Sequence, residues 1–79
     1  MRILFFAQLK DVTGCPEISL TPAAPLTADA VWAALLERFP GLSVHRSQVR
    51  LARNWEYTEP GTLYQAGDEI ALVPPVSGG

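Results

Sequence analysis

The chain has 79 residues, a formal net charge of −2 and six lysines and arginines, which are not clustered. This length predicts a single domain, and the lack of a basic stripe argues against nucleic acid as a partner. One cysteine with one histidine argues against an internal disulfide or a zinc site, and no apolar run approaches the roughly 20 residues of a membrane span. Because no secretory signal is apparent either, we expect a cytoplasmic protein without membrane contact.

The chain opens with strand-forming residues at 2–7, apolar on both faces, which predicts a central strand. Side chains alternate along a strand, so Leu4 and Phe6 share the face of Arg2, the wetter of the two. A turn or short helix then leads to a second strand at 17–20. We expect these two strands to pair antiparallel.

A helix is predicted after two prolines, with Thr27 as its N-cap. Val31, Leu35 and Phe39 recur at helical spacing and form one apolar stripe, which is typical of core residues. Pro40 ends the helix. We expect this helix to cover one face of a sheet.

Three more strands are predicted beyond the helix. After a polar connection at 43–48, strands at 49–52 and 55–57 flank Arg53 and Asn54, and they form a hairpin because asparagine tolerates a left-handed turn. An irregular crossing and a tight turn then lead into the last strand, 69–73.

The predicted order of elements is two strands, a helix and further strands, the last of them apolar. This is the order in an α+β domain of the β-grasp type, of which ubiquitin is the best-known example. That fold is a mixed sheet whose first and last strands run parallel in the middle, with one main helix on one face. In the last strand Ile70 and Leu72 are expected to meet the helix, because they alternate with residues on the other face.

The face turned away from the helix is expected to carry an apolar patch. Its predicted members are Leu4, Phe6, Ala71 and Val73, joined by Tyr57. Such a patch indicates a partner site, and the alternative is the scatter of single apolar side chains that small domains commonly expose.

The side chains offer little for catalysis, which needs a nucleophile, a base and an orienting group in contact. His45 lies in a polar loop, Cys15 lies between a glycine and a proline with few cationic neighbours, and Asp68 belongs to a turn. The remaining reactive group is the terminal carboxylate of Gly79.

The last residues form the predicted functional element. Pro74 and Pro75 cannot donate backbone hydrogen bonds and hold φ near −65°, so the chain leaves the sheet stiff and extended. We divide the chain into a domain, 1–74, and a tail, 75–79, which reaches roughly 17 Å and ends in two glycines that fit a channel little wider than a backbone. The alternative is a frayed end without a function.

A free carboxylate is ionised at neutral pH and is a poor electrophile until it is activated. Adenylation by ATP would activate it. The acyl group could then pass to a sulfur donor, which leaves a thiocarboxylate, or to an amine, which leaves an amide.

Motifs at both ends of the chain resemble those of molybdopterin synthase small subunits. They are ILFFAQLK at 3–10, Asn54, GDEIA at 67–71 and PPVSGG at 74–79. The resemblance covers the whole chain in length and order of elements, and it is weakest at 21–47.

The resemblance implies a sulfur carrier that is itself non-catalytic. An activating enzyme would adenylate Gly79 with ATP, and a sulfur donor protein would supply the thiocarboxylate sulfur. A large catalytic subunit would pass this sulfur to a pyranopterin precursor to build the molybdopterin dithiolene, within a heterotetramer. The tail residues in that subunit's channel would be Pro75, Val76, Ser77 and Gly78. The docking residues would be Phe6 and Val73, to which the predicted apolar patch adds Tyr57, and no metal or cofactor is expected on this chain.

Other functions share parts of this pattern. A carrier for thiamin or another sulfur pathway would use the same tail chemistry, although the sequence Pro-Pro-Val-Ser at 74–77 argues against it. A protein modifier would join Gly79 to lysines of its targets, and chains of it could grow only through Lys10, the one lysine. A binding module with an idle tail is the third alternative.

Overall fold

Two layers build the domain, a five-stranded sheet and a helix packed on one of its faces, in a computed structural model that describes residues 1–75. The strands are β1 (Arg2–Phe5), β2 (Glu17–Ser19), β3 (Arg50–Arg53), β4 (Glu56–Tyr57) and β5 (Glu69–Val73). They lie in the order β2-β1-β5-β3-β4, with β1 parallel to β5 and the other neighbours antiparallel. The predicted α+β fold, a mixed sheet with its first and last strands parallel in the middle, is confirmed.

The two α-helices are α1 (Gln8–Thr13) and α2 (Ala28–Arg38). The second begins where the sequence predicts, because the Thr27 hydroxyl accepts a hydrogen bond from the Ala30 amide at 3.1 Å. It ends ahead of Pro40, whose ring is incompatible with a continued helix. Neither helix, nor any other in residues 1–75, is long and apolar enough to cross a membrane.

The first strand is shorter than the predicted 2–7. It ends at Phe5 because Ala7 has a positive φ of 50°, which is incompatible with a strand and turns the chain into α1. The second strand likewise ends one residue earlier than expected, at Ser19.

The predicted polar connection after α2 has regular structure of its own. Two short 3-10 helices, Pro40–Val44 and Arg46–Gln48, occupy it. Leu42 in the first of them is fully buried. Leu42 precedes the predicted connection, whose own residues, 43–48, are half-buried or exposed.

The predicted hairpin is confirmed with its turn moved by one position. Arg53 pairs with Glu56 at the end of the ladder, so Asn54 and Trp55 form the loop rather than Arg53 and Asn54. Both loop residues have positive φ, 51° and 72°. A two-residue loop of this kind matches the right-handed twist of the flanking strands.

The main core lies between α2 and the sheet. It contains Ile3, Phe5, Ile70 and Leu72 from the sheet, and Val31, Trp32 and Leu35 from α2. The predicted alternation along β1 and β5 is thus confirmed on this face. Phe39, directly after α2, meets Phe5 edge to face at 5.7 Å between ring centroids.

The irregular crossing between the last two strands is anchored by a buried tyrosine. Tyr64 is 1% exposed, and its backbone exchanges two hydrogen bonds of 2.8 Å with that of Leu26. Its hydroxyl forms a 2.6 Å hydrogen bond with the Thr58 hydroxyl. The crossing therefore closes the end of the core beside the start of α2.

Candidate docking face and tail exit

A second, smaller apolar cluster lies on the sheet face opposite α2. Leu4, Ala52 and Ala71 are buried there, and Val73 packs against them. The registers that align Leu4 with Ala71 and Ala71 with Ala52 bring three strands together at this point. Three members of this cluster, Ala52, Ala71 and Val73, line a cleft on the face that the helix leaves open.

We call this depression the aromatic cleft, and its volume is about 340 Å³. It is lined by Phe6, Ala52, Trp55, Tyr57, Ala71, Val73 and Pro74. The three aromatic side chains at its rim are 39%, 67% and 54% exposed, in sequence order. Exposed aromatic residues grouped around an apolar floor are typical of protein interfaces.

The hairpin loop holds one aromatic side of the cleft in place. Asn54 is tied to the start of β5 by three contacts. The Asn54 backbone N–H donates a hydrogen bond to the Glu69 carbonyl at 2.7 Å. In its side chain, Oδ1 accepts a hydrogen bond from the Glu69 backbone N–H at 3.0 Å, and Nδ2 donates one to Asp68 Oδ1 at 3.4 Å. These contacts fix the turn that brings the Trp55 ring to 6.4 Å from the Phe6 ring.

The backbone of Trp55 is strained in this arrangement. A left-handed conformation costs a residue with a Cβ roughly 1–2 kcal/mol, and bulky residues rarely adopt it. Strain of this kind persists where the surrounding structure imposes it, and it clusters at functional sites. We therefore regard Trp55 as part of the candidate site.

Two residues of the cleft were missed at the sequence level. Ala52 reaches it only through the register with Ala71, which pairing between distant strands decides. Trp55 directly follows Asn54, the predicted turn residue, and a large aromatic residue beside a turn was the available signal. Leu4, predicted as part of the exposed patch, is only 9% exposed, and it packs beside Ala52 and Ala71 without lining the cleft.

Charged groups border this sheet face at both ends. At the end away from the tail, Arg2 forms ion pairs with Glu17 at 3.1 Å and with Glu69 at 3.0 Å. At the other end, the Arg50 guanidinium lies 3.9 Å above the centroid of the Tyr57 ring. The apolar part of the face is thus bounded by a satisfied ion-pair network and by a stacked cation.

The chain leaves the sheet at the edge of the cleft. Val73 ends β5, Pro74 is half-buried against the cleft and Pro75 is exposed. The other predicted tail residues, 76–79, lie outside the described part of the chain. Their predicted roles, including that of Gly79, stay predictions.

The structure brings the three predicted docking residues together. Phe6, Tyr57 and Val73 come from three different parts of the chain and all line the aromatic cleft. Their role in docking stays a prediction. A docking surface next to the tail would need apolar side chains grouped in this way.

Two side chains that the sequence analysis considered and rejected as catalytic groups, Asp68 and Cys15, lie in the following surroundings. Asp68 Oδ2 accepts a hydrogen bond from the Gln65 amide at 2.8 Å and so stabilises the turn before β5. Cys15 is a half-buried free thiol. Among residues 1–75 no three histidine, cysteine or acidic side chains group as metal ligands would.

The sheet order, the single main helix and the cleft beside the C-terminal exit define a ubiquitin-like protein of the β-grasp class. Residues 3–79 match the ThiS family, and the chain belongs to that family.

Curated relatives resemble the chain along its whole length. The molybdopterin synthase sulfur carrier subunit of Arabidopsis thaliana is 38% identical over 79 residues, which are all of this chain and 82% of the relative. The human protein of the same name is 35% identical over 82 residues, covering all of this chain and 93% of its own. Among solved structures, the small archaeal modifier protein SAMP1 from Haloferax volcanii superposes with a TM-score of 0.85 at 32% identity, over 100% of this chain and 98% of that one.

Proposed function

We propose that this chain is the sulfur carrier subunit of a molybdopterin synthase. The observation that carries the proposal is the aromatic cleft at the point where the chain leaves the sheet toward its diglycine end. The full-length likeness to sulfur carrier subunits supports the choice of pathway. The domain is then residues 1–74 and the reactive tail is 75–79.

The chemistry takes place at the carboxylate of Gly79. In the first step this carboxylate attacks the α-phosphorus of ATP on an activating enzyme, which forms an acyl-adenylate and releases pyrophosphate. A sulfur donor protein then supplies sulfur in place of AMP, and the chain ends in a thiocarboxylate. In the large subunit the sulfur attacks a pyranopterin precursor, water cleaves the bond between the acyl carbon and the sulfur, and the Gly79 carboxylate is restored. Two such transfers supply the two sulfurs of the dithiolene.

The size of the chain indicates which subunit supplies the catalytic residues and which delivers the sulfur. A chain of 79 residues has little room for an enclosed active site, so the large subunit supplies the catalytic residues. The cleft, with Phe6, Tyr57 and Val73 on its walls, docks on that subunit. A fully extended tail would reach roughly 17 Å, which is enough to deliver the sulfur into the large subunit's channel.

The other partners follow from the same chemistry. They are an adenylating enzyme that binds the ATP and a sulfur donor protein, and this chain itself holds no cofactor. We place the chain in the cytoplasm, where ATP is available for the adenylation.

A second candidate function is that of a protein modifier, which the likeness to SAMP1 favours. A modifier uses the same acyl-adenylate but transfers the Gly79 acyl group to a lysine amine. The two functions differ in the fate of the carboxyl group and not in the fold. The product must therefore be examined directly.

Intact mass spectrometry separates the two functions. The purified chain is incubated with its activating enzyme, ATP and a sulfur donor, with a known carrier as a control for activation. Replacement of one oxygen by sulfur supports the carrier, and ladders of conjugates on other proteins support the modifier. An unchanged mass, when the control carrier is converted, contradicts both.

Deletion of Gly79 tests the role of the terminal carboxyl group. We expect the shortened chain to lose sulfur transfer completely, because its new terminus ends short of the reacting position. Its unfolding in urea should match that of the full chain, since the proposed function assigns residue 79 to the tail and not to the domain. Full activity of the truncated chain would refute the mechanism.

A further inference from the structure

One cation borders the aromatic cleft at the end where the tail begins. The register between β3 and β5 pairs Arg50 with Val73, the last residue of β5. The Arg50 guanidinium stacks on the Tyr57 ring at 3.9 Å from its centroid. Arg50 is exposed, and no carboxylate of residues 1–75 forms an ion pair with it.

The other arginines of the described chain differ from Arg50 in their surroundings. Arg2 and Arg46 form ion pairs with carboxylates, and Arg53 donates to a backbone carbonyl at 2.8 Å. Arg38 lies in the last turn of α2, where the helix dipole favours a positive charge. Arg50 alone combines a place on the rim of the cleft with donors that residues 1–75 leave free of an acidic partner.

We propose that Arg50 recognises a carboxylate on the large subunit, at the rim of the opening that receives the tail. This inference rests on the proposed function. A partner surface that covers the cleft also removes water from Arg50, and a desolvated charge without a counterion is costly. The matching surface must therefore present an aspartate or glutamate beside the apolar side chains that fill the cleft.

The stacking on Tyr57 makes arginine the suitable residue for this task. The aromatic ring holds one flat side of the guanidinium, and the N–H groups in its plane stay available. A guanidinium presents these donors as a fork that matches both oxygens of one carboxylate, whereas an ammonium is a point charge. Lysine at this position would keep the charge and lose the geometry.

Arg50 acts on docking and not on the reacting atoms. In the extended tail that the proposed function requires, Gly79 follows Val73 by six residue steps, a span of roughly 20 Å. The Arg50 side chain cannot cover this distance. It is therefore a specificity-determining residue, and its loss should raise KM while leaving kcat unchanged.

The test compares four chains in calorimetric titrations against the large subunit encoded in the same genome. They are the wild type, Arg50→Gln, Arg50→Lys and the control Arg38→Gln, which removes an equal charge outside the cleft. We expect Kd to rise about tenfold or more for Arg50→Gln and by less for Arg50→Lys, with Arg38→Gln within twofold of wild type. Added salt should weaken the wild type more than Arg50→Gln.

The same variants are then charged with sulfur and assayed for transfer at saturating concentration. A kcat equal to that of the wild type, with a raised KM, supports the inference. Wild-type affinity in Arg50→Gln would overturn it and leave the proposed function standing. A slower adenylation with unchanged docking would also overturn it, and a failure of the wild-type chain to bind the large subunit would overturn the proposed function as well.

Discussion

Replacement of Phe6 by aspartate is the most direct test of the aromatic cleft as a docking surface. Phe6 is 39% exposed, and a phenylalanine has about 200 Å² to bury, so a partner can cover about 80 Å² more. At about 25 cal/mol per Å² this burial contributes about 2 kcal/mol, or about 30-fold in Kd. The new carboxylate adds a desolvation cost, so we expect Phe6→Asp to weaken docking on the large subunit by at least that factor.

The same substitution also affects the fold, and the assay must separate the two effects. The buried part of Phe6, about 120 Å², stabilises the domain by about 3 kcal/mol at most. Urea unfolding of Phe6→Asp therefore accompanies the calorimetric titration, which is made where the variant is folded. Val44→Asp is the matched control, because Val44 is 77% exposed and does not line the cleft. A folded Phe6→Asp that binds as tightly as Val44→Asp would refute this assignment of the docking face.

Two further predictions concern the stability of the frame around the cleft. Asn54→Ala should lower the free energy of unfolding by about 1–3 kcal/mol, because it removes the side-chain hydrogen bonds to Glu69 and Asp68 and places alanine at a φ of 51°. Asn54→Gly should lose less, since glycine accepts that φ, and equal losses in urea unfolding would contradict this backbone explanation. Tyr64→Phe should cost about 1 kcal/mol through the lost hydrogen bond to Thr58, and an unchanged unfolding midpoint would show that this bond contributes nothing.

The faces of the two central strands could be predicted because the period of a strand is local. Ile3 and Ile70 point to the helix while Leu4 and Ala71 point away, as alternation from Arg2 and Glu69 predicts. The start of α2 was equally local, since the Thr27 cap bonds an amide three residues on. In both cases the deciding atoms lie within a few residues of each other.

The walls of the aromatic cleft depended on contacts between distant residues. Ala52 joins its floor because β3 pairs with β5 in one register, and a shift of a single residue would turn Ala52 to the opposite face. Trp55 joins its rim because Asn54 is tied to Glu69 and sets the turn. Neither the register nor the contact between Asn54 and Glu69 can be predicted from the order of residues along the chain.

The sequence by itself determined that a strand near each end lies in the middle of a sheet, where a helix begins, and which residues follow the last strand. Alternation, capping and proline chemistry act over short separations, so they can be recognised without the fold. The tertiary structure alone decided that Phe6, Trp55 and Tyr57 meet, and that Arg50 stands beside Val73. Strand pairing and the hairpin turn fix those distances, and they depend on interactions between residues far apart in the chain.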